Sequence, residues 1–303
     1  MKIVIASGKG GVGKSMLTST LAMLFVKNKK VIAVDCDVDA PNLVIWLGGV
    51  RSWDKTLPVI TSAKPEIDFK KLCTRASPAR SVCDSCGLCA EKCYFEAIKI
   101  VKGKPKINPF LCEGCGVCEV ICPQKAITLK PVQNGEIRIK KIKYGFFLIS
   151  GQLYPGETGS GKIVTEIKKE AEKFKYDLML IDSAPGTGCP VIASLQDSDF
   201  TILITEPTPS GFADLKRVLK VVNHFKIPYG IIVNKWDINF KLSQKIEKWS
   251  GTKFFGKISY DRKIFKAIAD LKPILKTNLK AKKEIEQIFK KLQGRINKII
   301  IKK

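Results

Sequence analysis

An apolar run, Ile3–Ala6, passes into the glycine-rich loop Gly8-Lys9-Gly10-Gly11-Val12-Gly13-Lys14-Ser15. This loop constrains everything around it. Closely spaced glycines let successive backbone N–H groups turn inward on phosphate oxygens, and a helix starting behind them adds the positive end of its dipole. The geometry needs a strand before the loop and a helix after it, which is the repeating unit of a parallel sheet. Lys14 is expected to reach the terminal phosphates of a nucleotide, and the Ser15 hydroxyl to ligate Mg²⁺.

The rest of the chain repeats that unit. Short apolar segments at Val31–Asp35, Leu178–Asp182, Thr201–Thr205, Gly230–Asn234 and Phe254–Ile258 read as strands. Several are continuously apolar, as strands covered on both faces are. Longer amphipathic stretches lie between them, at about 162–175, 211–225, 239–249, 262–269 and 282–292. The expected fold class is α/β, a parallel-sheet P-loop NTPase over 1–62 and 132–303. Residues 63–131 interrupt the alternation and are expected to form an inserted small α+β domain. A hairpin over 132–150, turning at Asn134-Gly135, would lead back into the sheet.

That insert holds nine of the eleven cysteines, eight of them between Cys83 and Cys122. Shifting the chain by 29 positions superposes Cys83, Cys86, Cys89 and Cys93 on Cys112, Cys115, Cys118 and Cys122, and Ala97-Ile98 on Ala126-Ile127. Each run reads C-x₂-C-x₂-C-x₃-C and resembles that of bacterial ferredoxins, in which three thiolates wrap one cubane and the fourth reaches the other. The resemblance implies two [4Fe–4S] clusters. One takes Cys83, Cys86, Cys89 and Cys122; the other takes Cys112, Cys115, Cys118 and Cys93. Gly87, Gly114 and Gly116 supply the backbone freedom for wrapping. The second run ends in Cys122-Pro123 as in ferredoxins, whereas the first ends in Cys93-Tyr94. Structural zinc is the competing reading, since paired cysteines also build zinc sites. Cys36 reads as a core residue. Cys73 reads as a spare thiol or an alternative ligand, and Cys189 as a buried helix-start residue or a link between nucleotide state and a metal.

The loop sequence KGGVGKS resembles the deviant Walker A of the MinD/ParA/NifH class, in which the extra lysine, here Lys9, contacts nucleotide across a dimer interface. Residues 34–43 resemble that class's switch I, with Asp37 expected to position the attacking water and to meet Mg²⁺ directly or through water, and Asp35 or Asp39 as alternatives for the water. Residues 178–186 resemble Walker B and switch II, with Asp182 beside Mg²⁺ and the Gly186 N–H offered to a γ-phosphate. Asn234-Lys235-Trp236-Asp237 resembles a base-reading loop and also fits the guanine-specific N-K-x-D pattern; the Walker A form favours ATP. Residues 256–261 resemble the adenine-side loop, with Ser259 where proline is usual. Together these motifs resemble MinD-superfamily P-loop ATPases containing an inserted ferredoxin domain. The resemblance implies a Mg²⁺-dependent ATP hydrolase that dimerises around nucleotide, as a homo- or heterodimer.

Three functions follow as expectations. The first is coupling of nucleotide state to electron transfer through the clusters, toward a redox or metalloprotein partner. The second is assembly or carriage of Fe–S or another metal cofactor. The third is a MinD-like spatial or regulatory ATPase with redox-sensing clusters. Against 28 acidic residues stand 53 basic ones, a formal charge of +25. The excess is mostly lysine spread along helices rather than gathered in patches, so nucleic acid is not the expected partner. The basic, isoleucine-rich end at 296–303 reads as a frayed or docked helix terminus, with a membrane-surface segment as the alternative. His224 is expected to face solvent near a helix end. No apolar run is long enough to cross a bilayer and no leader precedes the first strand, so a cytoplasmic protein is expected.

Overall fold

A computed structural model describes residues 1–69 and 82–301, with side chains described as far as Ile296. It divides into two compact units. One comprises Met1–Leu57, Ile137–Gln152 and Ser160–Lys303; the other comprises Pro58–Glu136 and Leu153–Gly159.

In chain order the elements begin with β1 (Lys2–Ser7), α1 (Lys14–Phe25), β2 (Val31–Cys36), α2 (Leu43–Trp46), β3 (Lys55–Val59) and β4 (Ser62–Ile67). The cysteine-rich segment forms α3 (Leu88–Glu91), β5 (Ile98–Val101), β6 (Lys104–Ile107), α4 (Val117–Val120) and β7 (Ile127–Val132). Next come β8 (Gly135–Ile142), β9 (Phe146–Leu153), α5 (Ser160–Glu172), β10 (Leu178–Pro185), α6 (Cys189–Leu195) and β11 (Phe200–Thr205). The chain continues through α7 (Pro209–His224), β12 (Tyr229–Asn234), α8 (Phe240–Ser250), β13 (Phe254–Ile258), α9 (Lys263–Ala269) and α10 (Lys280–Ile301).

The large sheet has the order β13-β12-β11-β1-β10-β2-β9-β8-β3. From β13 to β9 every pairing is parallel. Strands β1, β2, β10 and β11 are buried almost throughout, which is why their sequences are apolar without alternation. The parallel α/β expectation therefore holds. α10 docks by Ile285, Ile288, Leu292 and Ile296, all at most 2% exposed, so the end of the chain enters the core at least as far as Ile296. The remainder of the basic tail lies outside the described side chains. No described helix is long and apolar enough to cross a membrane.

The hairpin leading back to the sheet turns elsewhere than expected. β8 and β9 are joined through Gly145, at φ 94°, whereas neither Asn134 nor Gly135 has positive φ. A two-residue Asn-Gly turn needs positive φ at both positions. Asn134 serves instead as a buried bracket. Its Oδ1 accepts from the Thr61 N–H (2.9 Å), and its Nδ2 donates to the Thr158 carbonyl (2.7 Å).

The second unit carries a repeat deeper than the cysteines. α3 and α4 each follow a left-handed glycine, Gly87 and Gly116. β5 pairs with β6 and β7 with β4, both antiparallel, with Ile98 opposite Ile107 and Ile127 opposite Ile67. The partner strands themselves match, Lys64-Pro65-Glu66-Ile67 and Lys104-Pro105-Lys106-Ile107. Among the described residues, Cys89, Ile98 and Ile127 form a core cluster of this unit, with Ile67, Ile107 and further cysteines against them.

Candidate nucleotide site and cysteine cavities

The phosphate loop joins β1 to α1. Val12 is buried and anchors it. Gly11 and Gly13 have φ of 73° and 96°. At Gly13 a Cβ would lie 2.6 Å from Asn234 Nδ2, which donates to the Val12 carbonyl at 2.8 Å. Asn234, at the end of β12, is thus a strut that holds the loop. Gly8 is closely approached as well: a Cβ there would stand 2.2 Å from the Asp214 carbonyl oxygen on α7.

Lys14 and Ser15 are buried at the start of α1. Burial lowers the Lys14 pKa, opposed by the carboxylates of Asp182, Asp37 and Asp35. Asp182 closes β10 beside them. Burial pushes its carboxyl up to about 6, against hydrogen bonds from Ser15 and Thr18 and the charge of Lys14. Its Oδ1 accepts from Thr18 Oγ1 (3.1 Å), while its buried Oδ2 has no partner among the described residues. A buried carboxylate oxygen with an unused lone pair, next to a buried hydroxyl, is the donor set a hard divalent cation takes.

Of the three switch I carboxylates, Asp35 is fully buried and spends itself on the chain, accepting from the N–H groups of Asp37 (3.2 Å) and Leu43 (2.9 Å). Asp39 is exposed. Asp37 lines a cavity of about 350 Å³ together with Gly13, Lys14, Ser15 and Asn234. Asn42, whose buried Oδ1 has no partner among the described residues, lines it too. At its other end stand Tyr260, Asp261, Phe265 and Ile268. Asp237 is not in the lining; its Oδ1 accepts from the Tyr260 N–H at 2.8 Å.

Two expected contacts are engaged differently. Lys9 Nζ sits 2.7 Å from Glu206 Oε1, and Lys235 Nζ reaches the other oxygen at 3.2 Å and the Gly11 carbonyl at 3.2 Å. Burial alone would raise the Glu206 carboxyl, but hydrogen bonds from Lys9 and Lys235 outweigh it and hold it below its ordinary range. Gly186 donates its N–H to the Ser7 carbonyl (2.9 Å), not toward the phosphate loop. The loop after β10 would have to shift to free that N–H.

In the second unit the eight cysteines line two cavities. Cys83, Cys86, Cys89 and Cys122 line one, with Pro105 and Pro123. Cys93, Cys112, Cys115 and Cys118 line the other, with Pro65 and Phe95. Each quartet takes three members from one run and its fourth from the other. Burial raises the Cys118 thiol to about 11, with the neighbouring Cys112 and Cys115 adding to it; Cys89 is raised by burial and by Cys83 and Cys86. The Ala126 N–H donates to Cys122 Sγ at 3.3 Å. Among the described residues no three His, Cys, Asp or Glu side chains converge on a single ion position. The all-thiol donor set fits a group held by soft ligands.

The family described as the CobQ/CobB/MinD/ParA nucleotide binding domain matches residues 3–274. The chain belongs to this CobQ/CobB/MinD/ParA family. An uncharacterised protein of Methanocaldococcus jannaschii is 40% identical, over 97% of this chain and 96% of that one. An iron–sulfur cluster carrier protein of the same organism is 25% identical, over 97% and 84%. Among solved structures, the septum site-determining protein MinD complexed with Mg-ADP from Pyrococcus horikoshii is 18% identical, covers 98% of each chain and has a TM-score of 0.57, a likeness of fold.

Within that family fold the remaining cysteines separate. Cys36 is buried in β2, and burial pushes its thiol up to about 12. Cys189 is exposed at the start of α6, against the buried alternative. Cys73 lies outside the described residues. His224 ends α7 and is exposed. The strut role of Asn234, the Glu206 bridge and the Thr18 partner of Asp182 were not read from the sequence. Each depends on contacts between residues far apart in the chain, and no local pattern announces them.

Proposed function

We propose that this chain is a cytoplasmic, Mg²⁺-dependent ATPase that couples its nucleotide state to electron transfer through two [4Fe–4S] clusters. The observation that carries the reading is the sorting of eight thiols into two separate quartets, crossed at the fourth position, in a chain that also carries a phosphate loop. Thiolates at the corners of a cubane line a cavity without converging on one atom, whereas tetrahedral zinc draws its ligands to a single point. Bound in the two quartets, the clusters would supply one-electron chemistry.

In the nucleotide site, Lys14 and the loop N–H groups would hold the terminal phosphates. Ser15 and Asp182 would hold Mg²⁺, directly or through water, which neutralises phosphate charge. Asp37 would orient the attacking water; positioning rather than strong basicity is what phosphoryl transfer asks of it. Adenine is favoured over guanine because the carboxylate an N-K-x-D reader needs, Asp237, does not line the cavity and spends one oxygen on the Tyr260 N–H. Lys9 would leave Glu206 to contact nucleotide bound to a second subunit, making the dimer nucleotide-dependent.

A second reading, cluster carriage, is favoured by the resemblance to the carrier protein across nearly the whole chain. The two separate on one preparation. Anaerobically reconstituted protein should hold about eight irons and eight sulfides per chain. Cys122→Ser and Cys93→Ser should each perturb one centre and spare the other. Zinc in place of iron would end the cluster reading, and rapid loss of iron to an apo-acceptor would favour carriage.

A further inference from the structure

The two halves of the second unit are built alike, so each is a control for the other. In register, Lys99 stands opposite Lys106 on β5–β6; the equivalent pair on β7–β4 is Thr128 opposite Glu66. Like charges directly opposite across a strand pair are destabilising. Lys102 stands in the turn and Lys104 on the same strand as Lys106, and all four lysines are exposed. Between Glu96 and Glu113 the sequence has no acid. No ion pair engages Lys99, Lys102 or Lys106 among the described residues. The equivalent of Lys104 in the other half, Lys64, is committed to the carbonyls of Pro109 (2.8 Å) and Cys112 (2.9 Å) and to Glu157 (3.4 Å). The β4–β7 half carries fewer lysines on its strands, Lys64 and Lys130, and although these also stand opposite one another, Lys64 is engaged by carbonyls and Glu157.

The hairpin is also placed for a purpose. Between Lys104 and Lys106, Pro105 turns inward, is buried, and lines the cavity of Cys83, Cys86, Cys89 and Cys122. Cys86 of that quartet is exposed.

We propose that the β5–β6 hairpin, through Lys99, Lys102, Lys104 and Lys106, is the docking face for an acidic one-electron carrier protein that exchanges electrons at the adjacent quartet. This deepens the electron-transfer reading and rests on it. Electrostatic complementarity of this kind governs encounter and orientation, and it weakens with salt. A docked carrier loses one electron as the iron of the quartet gains one, and no bond forms or breaks.

The test uses the full reconstituted chain and a fluorescently labelled plant-type ferredoxin, an acidic one-electron protein, as probe. Binding should be salt-sensitive, and Lys99→Glu/Lys106→Glu should weaken it by about tenfold or more. Reversal of two exposed lysines on α8, Lys245→Glu/Lys248→Glu, should change it by less than about twofold. Lys99→Glu alone converts the repelling pair into an attracting one, so it should keep the hairpin folded while still weakening binding. Equal losses from the hairpin and α8 variants would overturn the inference. So would an unchanged ferredoxin affinity alongside lost binding to a single-stranded oligonucleotide or to anionic vesicles. Iron and sulfide content separates the two claims. Hairpin-dependent binding without iron sinks the cluster reading alone, and iron without hairpin dependence sinks the docking face alone.

Discussion

Asp182 shows how a single side chain carries the chemistry of its site into stability. In an unfolded chain its carboxyl would titrate at 3.8; burial moves it to about 6. The fold tolerates the protonated form better than the ionised one. The associated stability is therefore full below the unfolded value and is lost as pH rises through about 6. A cation on the orphaned Oδ2 reverses the preference. Mg²⁺-nucleotide should accordingly raise the melting temperature more at about pH 7.5 than at about pH 5, by roughly 5 °C or more. Equal stabilisation at both pH values in a thermal melt would remove Asp182 from the metal site. Asn134 makes a second residue-scale case. Asn134→Ala removes the side-chain partner of the half-buried Thr61 N–H and Thr158 carbonyl and should cost about 1–3 kcal/mol in denaturant unfolding. Asn134→Asp keeps the acceptor but buries a charge and sets an oxygen against the Thr158 carbonyl, so at neutral pH it should cost at least as much. A negligible loss from Asn134→Ala would mean that the bracket is not what stabilises.

At the scale of elements, α6 follows switch II and is held from behind. Lys168 Nζ donates to the carbonyls of Ala193 (2.8 Å), Ser194 (3.3 Å) and Gln196, which are those a helix leaves unpaired at its C-terminal end. Burial lowers the Lys168 pKa, and the fixed charge meets the negative end of the helix dipole. Lys168→Met should destabilise by about 1–3 kcal/mol and speed amide exchange over 189–196 ahead of the rest of the chain. Uniform exchange would contradict a local cap. Elements differ in how far the sequence discloses them. β1, β2, β10 and β11 were legible because strands covered on both faces leave unbroken apolar runs. β4 and β6 were not: lysine, proline and glutamate fill them, and only their mutual likeness, KPEI against KPKI, could have betrayed them. Asn134-Gly135 misled because the dipeptide's turn preference is local, whereas its role here is set by Thr61 and Thr158. The two runs of four thiols were legible from their short spacing and a shift of 29, whereas their crossing at the fourth position was an expectation from the ferredoxin resemblance. Glu206, which holds Lys9 in this structure, was not, because Lys9 and Glu206 are close only after folding.

At the scale of the whole molecule, one chain joins a phosphate-binding α/β fold to a thiol-rich unit, and the functional proposal is that each responds to the other. That coupling is a free energy shared by two sites, so a nucleotide that alters the redox equilibrium must have its own affinity altered by reduction to the same degree. The most direct measurement is the midpoint potential of the reconstituted iron centres, taken anaerobically with and without Mg²⁺-ATP, in the native chain and in Lys14→Ala. A shift on adding ATP of roughly 30 mV or more, about threefold or more in affinity for a one-electron centre at room temperature, is predicted for the native chain and none for Lys14→Ala. Identical potentials with and without ATP, in protein shown to bind ATP and to hold its iron, would contradict the coupling outright.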